Sequence, residues 1–123
     1  MIIGIGIDIL NIKRFRKKIK ENPSLLKRIL TQKEIELFKE FNDPIPHHAG
    51  RFAIKEAIIK AGKEKLNIKG FKDIEILKSS DGSPLITKPT DYNLHVSLSH
   101  EESIVVAIAI LEDNQSNSLS DGR

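Results

Sequence analysis

Between Asp43 and about Leu66 the chain carries a helix-length run in which Phe52, Ala53, Ile54, Ala57, Ile58, Ile59 and Ala61 wrap most of the way round the axis. A helix that is apolar on most sides has to be covered from several directions, so the remaining residues must fold around it. Asp43 stands where an N-cap belongs, and Pro44 and Pro46 fall in the first turn, where a missing N–H is tolerated. Strands supply the cover. "KDIEILK" and "PLITK" flank a turn cluster of Ser79, Ser80, Asp81, Gly82 and Ser83 and predict a hairpin. "NLHVSLSH" alternates Leu94, Val96 and Leu98 against His95, Ser97 and Ser99, while "SIVVAIAIL" is apolar throughout, which predicts a second hairpin with its last strand central. The expected fold is α+β over residues 1–112, an antiparallel sheet packed against one long central helix. Residues 113–123 are polar and predict a disordered tail.

The chain starts differently. In "GIGIDILNIKRFRKK", residues 4–18, isoleucines 3, 5, 7 and 9 share one face of a strand, and Gly4, Gly6 and Asp8 share the other with Ile2 and Leu10. This predicts a buried strand with one bare face. Glycine inside a strand marks a close approach by another backbone or by a ligand. The pair is not a dinucleotide fingerprint, because the third glycine is missing and the pair lies within the strand. A short amphipathic helix follows over Asn11–Lys20, with Ile12, Phe15 and Ile19 inward and a cationic outer face. Thr31 and Glu34 have capping-box spacing and open a further helix to about Phe41.

With 123 residues the chain is large enough for one real core, and its formal charge of +3 matters less than where the charges lie. It has no cysteine, which excludes disulfides, thiolate metal sites and covalent thiol chemistry and fits a cytoplasmic location. No apolar run reaches the ~18 residues of a membrane span.

Asp8 has two readings, a cap for the next helix or a ligand for a hard cation. One carboxylate holds such a cation poorly, and Glu56 in "RFAIKEAIIKAG" is the candidate for a second. An ordinary ion pair between Glu56 and Lys60, four residues on, is the plain alternative and is worth about 0.2–0.5 kcal/mol. The density of Arg51, Lys55, Glu56 and Lys60 on an otherwise apolar stretch speaks for more. Two carboxylates suit Mg²⁺, which completes its shell with water and substrate phosphate, and Arg51 and Lys60 match phosphate oxygens. Ser99 and His100 are strand neighbours pointing to opposite faces and do not form a nucleophile–base pair. His100, at a hairpin tip, fits a phosphate contact or proton carrier, whereas His47 and His48 fall in the first turn of the long helix with no special role expected.

Taken together, "GIGIDILNIKR", "KRILTQKE" at 27–34, "AGRFAIKEAIIKA" at 49–61, "DIEI" with "DGSP" after it, and "HVSLSHEES" at 95–103 resemble the holo-(acyl carrier protein) synthases, the small bacterial 4'-phosphopantetheinyl transferases. The resemblance runs in order over residues 2–111. It implies transfer of the 4'-phosphopantetheine arm of coenzyme A to a serine of apo acyl carrier protein, in the service of fatty acid biosynthesis, leaving adenosine 3',5'-bisphosphate. It implies that Asp8 and Glu56 bind Mg²⁺, that Arg51 and Lys60 contact phosphates, and that Pro84 and His100 border the nucleotide. Glu56, or a metal-bound water it orients, would be the base for the serine. A homotrimer with active sites between subunits is also implied. The carriers of such systems are acidic, which casts Arg14, Lys17 and Lys18 of the basic helix, with Arg28 after it, as the carrier surface. Two departures stand out: His47 and His48 replace an aromatic and a leucine, and "DPIP" is unusual.

Two other functions fit parts of the pattern. A ribonuclease H-like metal nuclease would use a first-strand acid such as Asp8, but needs further strands at once where this chain has a basic helix. A nucleic-acid-binding module would use the basic helix and leave Asp8, Glu56 and the glycines without a purpose.

Overall fold

The glycine face of the first strand decides how the sheet meets the central helix. In the structure, a computed structural model that describes residues 1–113, strand β1 (Ile2–Asn11) runs antiparallel to β5 (Ile104–Glu112), which also pairs with β4 (Asn93–Glu101) in the order β1-β5-β4. Helix α4 (Ile45–Gly62) crosses this sheet. A Cβ on Gly4 would run into the carbonyl oxygen of Ala61, and one on Gly6 into that of Ala57, so what approaches the glycines is the backbone of α4. Val105, Ala107, Ala109 and Leu111 of β5 face the same helix and are buried with its Ala53, Ile54, Ala57, Ile58 and Ala61. β5 is central, as its apolar run predicts.

The expectation of a buried β1 is corrected. β1 is an edge strand, and α4 covers only its glycine face, so Ile5, Ile7 and Ile9 are 61%, 59% and 68% exposed. The register sets Ile5 beside Ile110, Ile7 beside Ile108 and Ile9 beside Val106, which extends the isoleucine row into a wide apolar sheet face.

Helix α1 (Ile12–Glu21) follows β1 without a loop. Asn11 caps it, its side-chain oxygen accepting the Arg14 N–H at 3.0 Å, so capping is not the task of Asp8. Helix α2 (Leu25–Ile29) leads to α3 (Gln32–Leu37), which the Thr31–Glu34 capping box opens as its spacing predicts. α3 ends at Leu37 rather than near Phe41, because Phe38 turns into the interior and is 1% exposed. The predicted N-cap of α4 is also corrected. The helix begins at Ile45 after Pro44, and Asp43 holds the Ile45 N–H at 3.3 Å while both its oxygens take the guanidinium of Arg16 at 3.0 and 2.7 Å. α4 stops at Gly62 instead of reaching Leu66, since Lys63 takes a positive φ of 45°.

A 3-10 turn (Phe71–Asp73) precedes the hairpin of β2 (Glu75–Lys78) and β3 (Pro84–Lys88), a separate two-stranded sheet. The whole is α+β, antiparallel strands against one long helix. Among the described residues no helix is long and apolar enough to cross a membrane. The tail predicted for residues 113–123 lies, apart from Asp113, outside the described residues.

Candidate active site

Asp8 lies on the glycine face of β1 and therefore looks towards α4. The Lys60 ammonium, two turns beyond Phe52 on that helix, donates to Asp8 Oδ1 at 3.1 Å and to the Ile7 carbonyl at 2.9 Å. The plain alternative, a Glu56–Lys60 pair, gives way to a tertiary pair between Lys60 and Asp8. Glu56 lies close enough to feel both charges. Burial raises its pKa most, the Asp8 charge raises it further, and Lys60 opposes both; no hydrogen bond contributes. Two carboxylates that repel each other, one of them without a hydrogen-bonding partner, suit a divalent cation. Among the described residues there is no group of three or more acids or histidines that could hold a metal. Asp8 and Glu56 fit Mg²⁺, which uses one or two carboxylates and leaves its other positions to water and phosphate.

The remaining charges of α4 go elsewhere. Lys55 is completely buried beneath the helix and pairs with Glu34 at 2.6 Å. Arg51 is 6% exposed and donates from Nε to the Ile76 carbonyl at 3.0 Å and from a terminal nitrogen to that of Leu77 at 2.9 Å. Its guanidinium lies 5.1 Å from the centre of the Phe38 ring. At 100° per residue, Phe52, Glu56 and Lys60 share one side of α4, while Arg51 is rotated by about 180° from Lys60. The two phosphate-binding candidates thus stand on opposite sides of one helix.

Arg51 borders a cavity of 670 Å³ lined also by Lys13, Arg16, His47, Leu98 and His100. His100 is exposed at the penultimate position of β4, in keeping with the predicted hairpin tip. Pro84 begins β3 opposite Lys78 and does not line this cavity. His47 corrects its expectation, since it stacks on Phe38 at 4.8 Å, meets Phe41 edge-on and contributes to the cavity wall. Its spacing of four from Arg51 was the available signal. Arg16 was missed among the charges of α1, because the Asp43 carboxylate that fixes it lies 27 residues away. His48 does have a distinctive place: it is 3% exposed, neither ring nitrogen has a partner, and burial holds its pKa down at about 4.

On the Glu56 side of α4 a groove of 330 Å³ runs between α1, α2 and the 3-10 turn. Phe15, Leu25, Ile29, Phe52 and Phe71 make it apolar, and Ile9 and Leu10, which follow Asp8 in the chain, line it too. Arg14 and Lys18 line it as well; the exposed Lys17 and Arg28 do not.

Comparison with known proteins agrees with this architecture. Residues 4–109 match the family model of the 4'-phosphopantetheinyl transferase superfamily. The holo-[acyl-carrier-protein] synthase of Halalkalibacterium halodurans is 38% identical over 115 residues, covering 91% of this chain and 97% of that protein. Among solved structures, the Bacillus anthracis holo-(acyl-carrier-protein) synthase in complex with CoA (3',5'-ADP) superposes with a TM-score of 0.79 at 36% identity, covering 93% of this chain and 99% of that one. The Helicobacter pylori synthase in complex with coenzyme A gives 0.74 at 34% identity, with 88% and 99% covered. The chain belongs to the holo-(acyl carrier protein) synthases of the 4'-phosphopantetheinyl transferase superfamily.

Proposed function

We propose that the protein transfers the 4'-phosphopantetheine arm of coenzyme A to a serine of apo acyl carrier protein and releases adenosine 3',5'-bisphosphate, with Mg²⁺ held by Asp8 and Glu56. The observation that carries this reading is the convergence of Asp8, Glu56 and Lys60 beside an apolar groove edged by Arg14 and Lys18. The carrier supplies the nucleophile, so no activated serine or cysteine is needed in this chain. When bound, the cation neutralises charge on the pyrophosphate as the bond to the leaving nucleotide breaks. Lys60, already placed by the Ile7 carbonyl, adds a positive charge for phosphate oxygens. The serine proton passes to Glu56 or to a water that Glu56 orients. An acidic carrier, steered by α1, lays its serine-bearing segment in the groove. This step would supply fatty acid biosynthesis in the cytoplasm.

The cationic cavity around Arg51 and His100 is the nucleotide site in this reading, and Pro84, which does not line it, is left out of that site. Since Arg51 and Lys60 point away from each other across α4, one chain does not close both around the same pyrophosphate. We propose that a neighbouring copy supplies the cavity, and that the isoleucine face of β1 and β5 packs between copies in a homotrimer. Six apolar side chains in register across a sheet, three of them more than half exposed, support this cover. The test is an assay of coenzyme A, Mg²⁺ and apo carrier in which mass spectrometry reads the carrier. Wild type converts it to the holo form, while Glu56→Gln and chelation each stop conversion. Conversion by folded Glu56→Gln at more than a tenth of the wild-type rate contradicts the site.

A further inference from the structure

Lys55 stands immediately before Glu56 and plays no part in the chemistry above. Its side chain is 0% exposed. The ammonium has three donors and meets three acceptors: the Ile29 carbonyl at 2.8 Å, Glu34 Oε1 at 2.6 Å and the Phe71 carbonyl at 3.1 Å. Ile29 is the last residue of α2, where carbonyls lack a partner within the helix, and Phe71 is the first of the 3-10 turn. Glu34 is equally occupied. Its Oε1 also takes the Thr31 N–H at 2.8 Å and its Oε2 takes the Ile76 N–H of β2 at 2.8 Å. One buried charge pair therefore ties α2, α3, the 3-10 turn and β2 to a single position on α4.

Stability alone does not call for this arrangement, because a buried ion pair replaced by apolar groups of similar volume is often neutral or stabilising. A fully satisfied polar network instead fixes distance and direction. The fixed elements are not arbitrary. Ile29 and Phe71 are walls of the apolar groove, and Phe52, the wall contributed by α4, stands one turn before Glu56. Phe52 contacts Phe71 edge-on at 5.3 Å between ring centres.

We propose that Lys55 is a positioning residue: it holds the two groove walls at a set distance from α4, so that a carrier seated in the groove presents its serine to Glu56. The proposal rests on the reading of the groove as the carrier's seat. Removing Lys55 alone would strand Glu34 as a buried charge and risk unfolding, so the test uses the paired variant Lys55→Met with Glu34→Gln. Once shown to fold by its melting transition, this variant is expected to raise the KM for apo carrier at least fivefold while the Kd for coenzyme A stays within twofold of wild type. A purely structural role would leave that ratio unmoved. A folded variant whose carrier KM stays within twofold, or whose coenzyme Kd rises by the same factor as its carrier KM, overturns the proposal.

Arg14→Glu, on the groove but outside the network, separates the two layers. If it leaves the carrier KM unchanged, the seat itself is misassigned; if it raises that KM and the paired variant does not, only the role of Lys55 fails. Should the paired variant not fold, hydrogen exchange on the wild type decides. Amides of Leu30 and Ile74, at the ends that Lys55 holds, are expected to exchange within tenfold of those in the middle of α4. Exchange a hundredfold faster would show that the walls are not held, and would overturn the proposal.

Discussion

Gly6 illustrates what a single position can fix. Its missing side chain lets β1 settle directly on the carbonyl of Ala57, and this approach sets Asp8, two residues on, within reach of Lys60. Gly6→Ala has no flexible side chain to push aside, only helix backbone. It is expected to cost at least ~2 kcal/mol in thermal melts, and to lower transfer further by moving Asp8. His48 makes a different prediction. Its imidazole is buried neutral with a pKa of about 4 against 6.5 when free, so the unfolded chain binds more protons between those values. Stability is then complete above pH 6.5 and falls as pH drops towards 4. On the order of 1–2 kcal/mol, or ~5 °C in Tm, should be lost between pH 7.5 and pH 5 through this group. His48→Leu, which also removes two unpartnered nitrogens, should flatten that part of the profile. An unchanged profile would place the acid sensitivity elsewhere. The glycines were legible as a close approach, since strand glycine has few other uses, but whether backbone or ligand approached them depended on where α4 lay.

Elements defined by local rules were readable, and their partners were not. The capping box of α3 and the two hairpins are set by residues within a few positions of each other. Asp43 looked like an N-cap because the sequence does not reveal Arg16 reaching across from α1 to claim both its oxygens. The same limit applies at the site. Four charged residues on α4 read as one cluster, whereas the helix divides them: Lys60 to Asp8, Lys55 to Glu34, Arg51 to the carbonyls of β2. α1 was legible as a cationic helix because Ile12 and Phe15 are its buried residues and the charges fill the rest. Its proposed role as the carrier surface rests on the groove beside it. Arg14→Glu should raise the KM for carrier about tenfold and that for coenzyme A less than twofold. Added salt should weaken carrier use by wild type in the same direction, since exposed charges are screened over ~8 Å at physiological ionic strength. Loss of affinity for RNA or DNA, with normal carrier use, would assign the helix to nucleic acid instead.

The whole molecule leaves two surfaces unfinished. Strand alternation predicts that isoleucines 3, 5, 7 and 9 share a face. Ile5, Ile7 and Ile9 do, whereas the register shifts between Ile2 and Gly4 and Ile3 packs on the core. Among the described residues only α4 covers β1, on the other side. Likewise the acids with Lys60, and the cavity with Arg51, His47 and His100, are separate within one chain. Both gaps close if copies pack through the isoleucine face and share their sites. Ile7→Glu should therefore shift the protein to a smaller species in light scattering and abolish transfer, although Ile7 touches no proposed ligand. The most direct measurement mixes two crippled chains. Glu56→Gln lacks the first half of the site and Arg51→Lys the fork of the second, so each should be weak or inactive alone. Co-expressed, they form mixed assemblies in which some sites draw an intact Glu56 from one copy and an intact Arg51 from the other. The account predicts that apo carrier incubated with the mixture and coenzyme A gains the phosphopantetheine mass at a rate at least fivefold above the sum of the two variants. A rate equal to that sum, in assemblies shown to be mixed, would mean that each site is complete within one chain and would contradict the account.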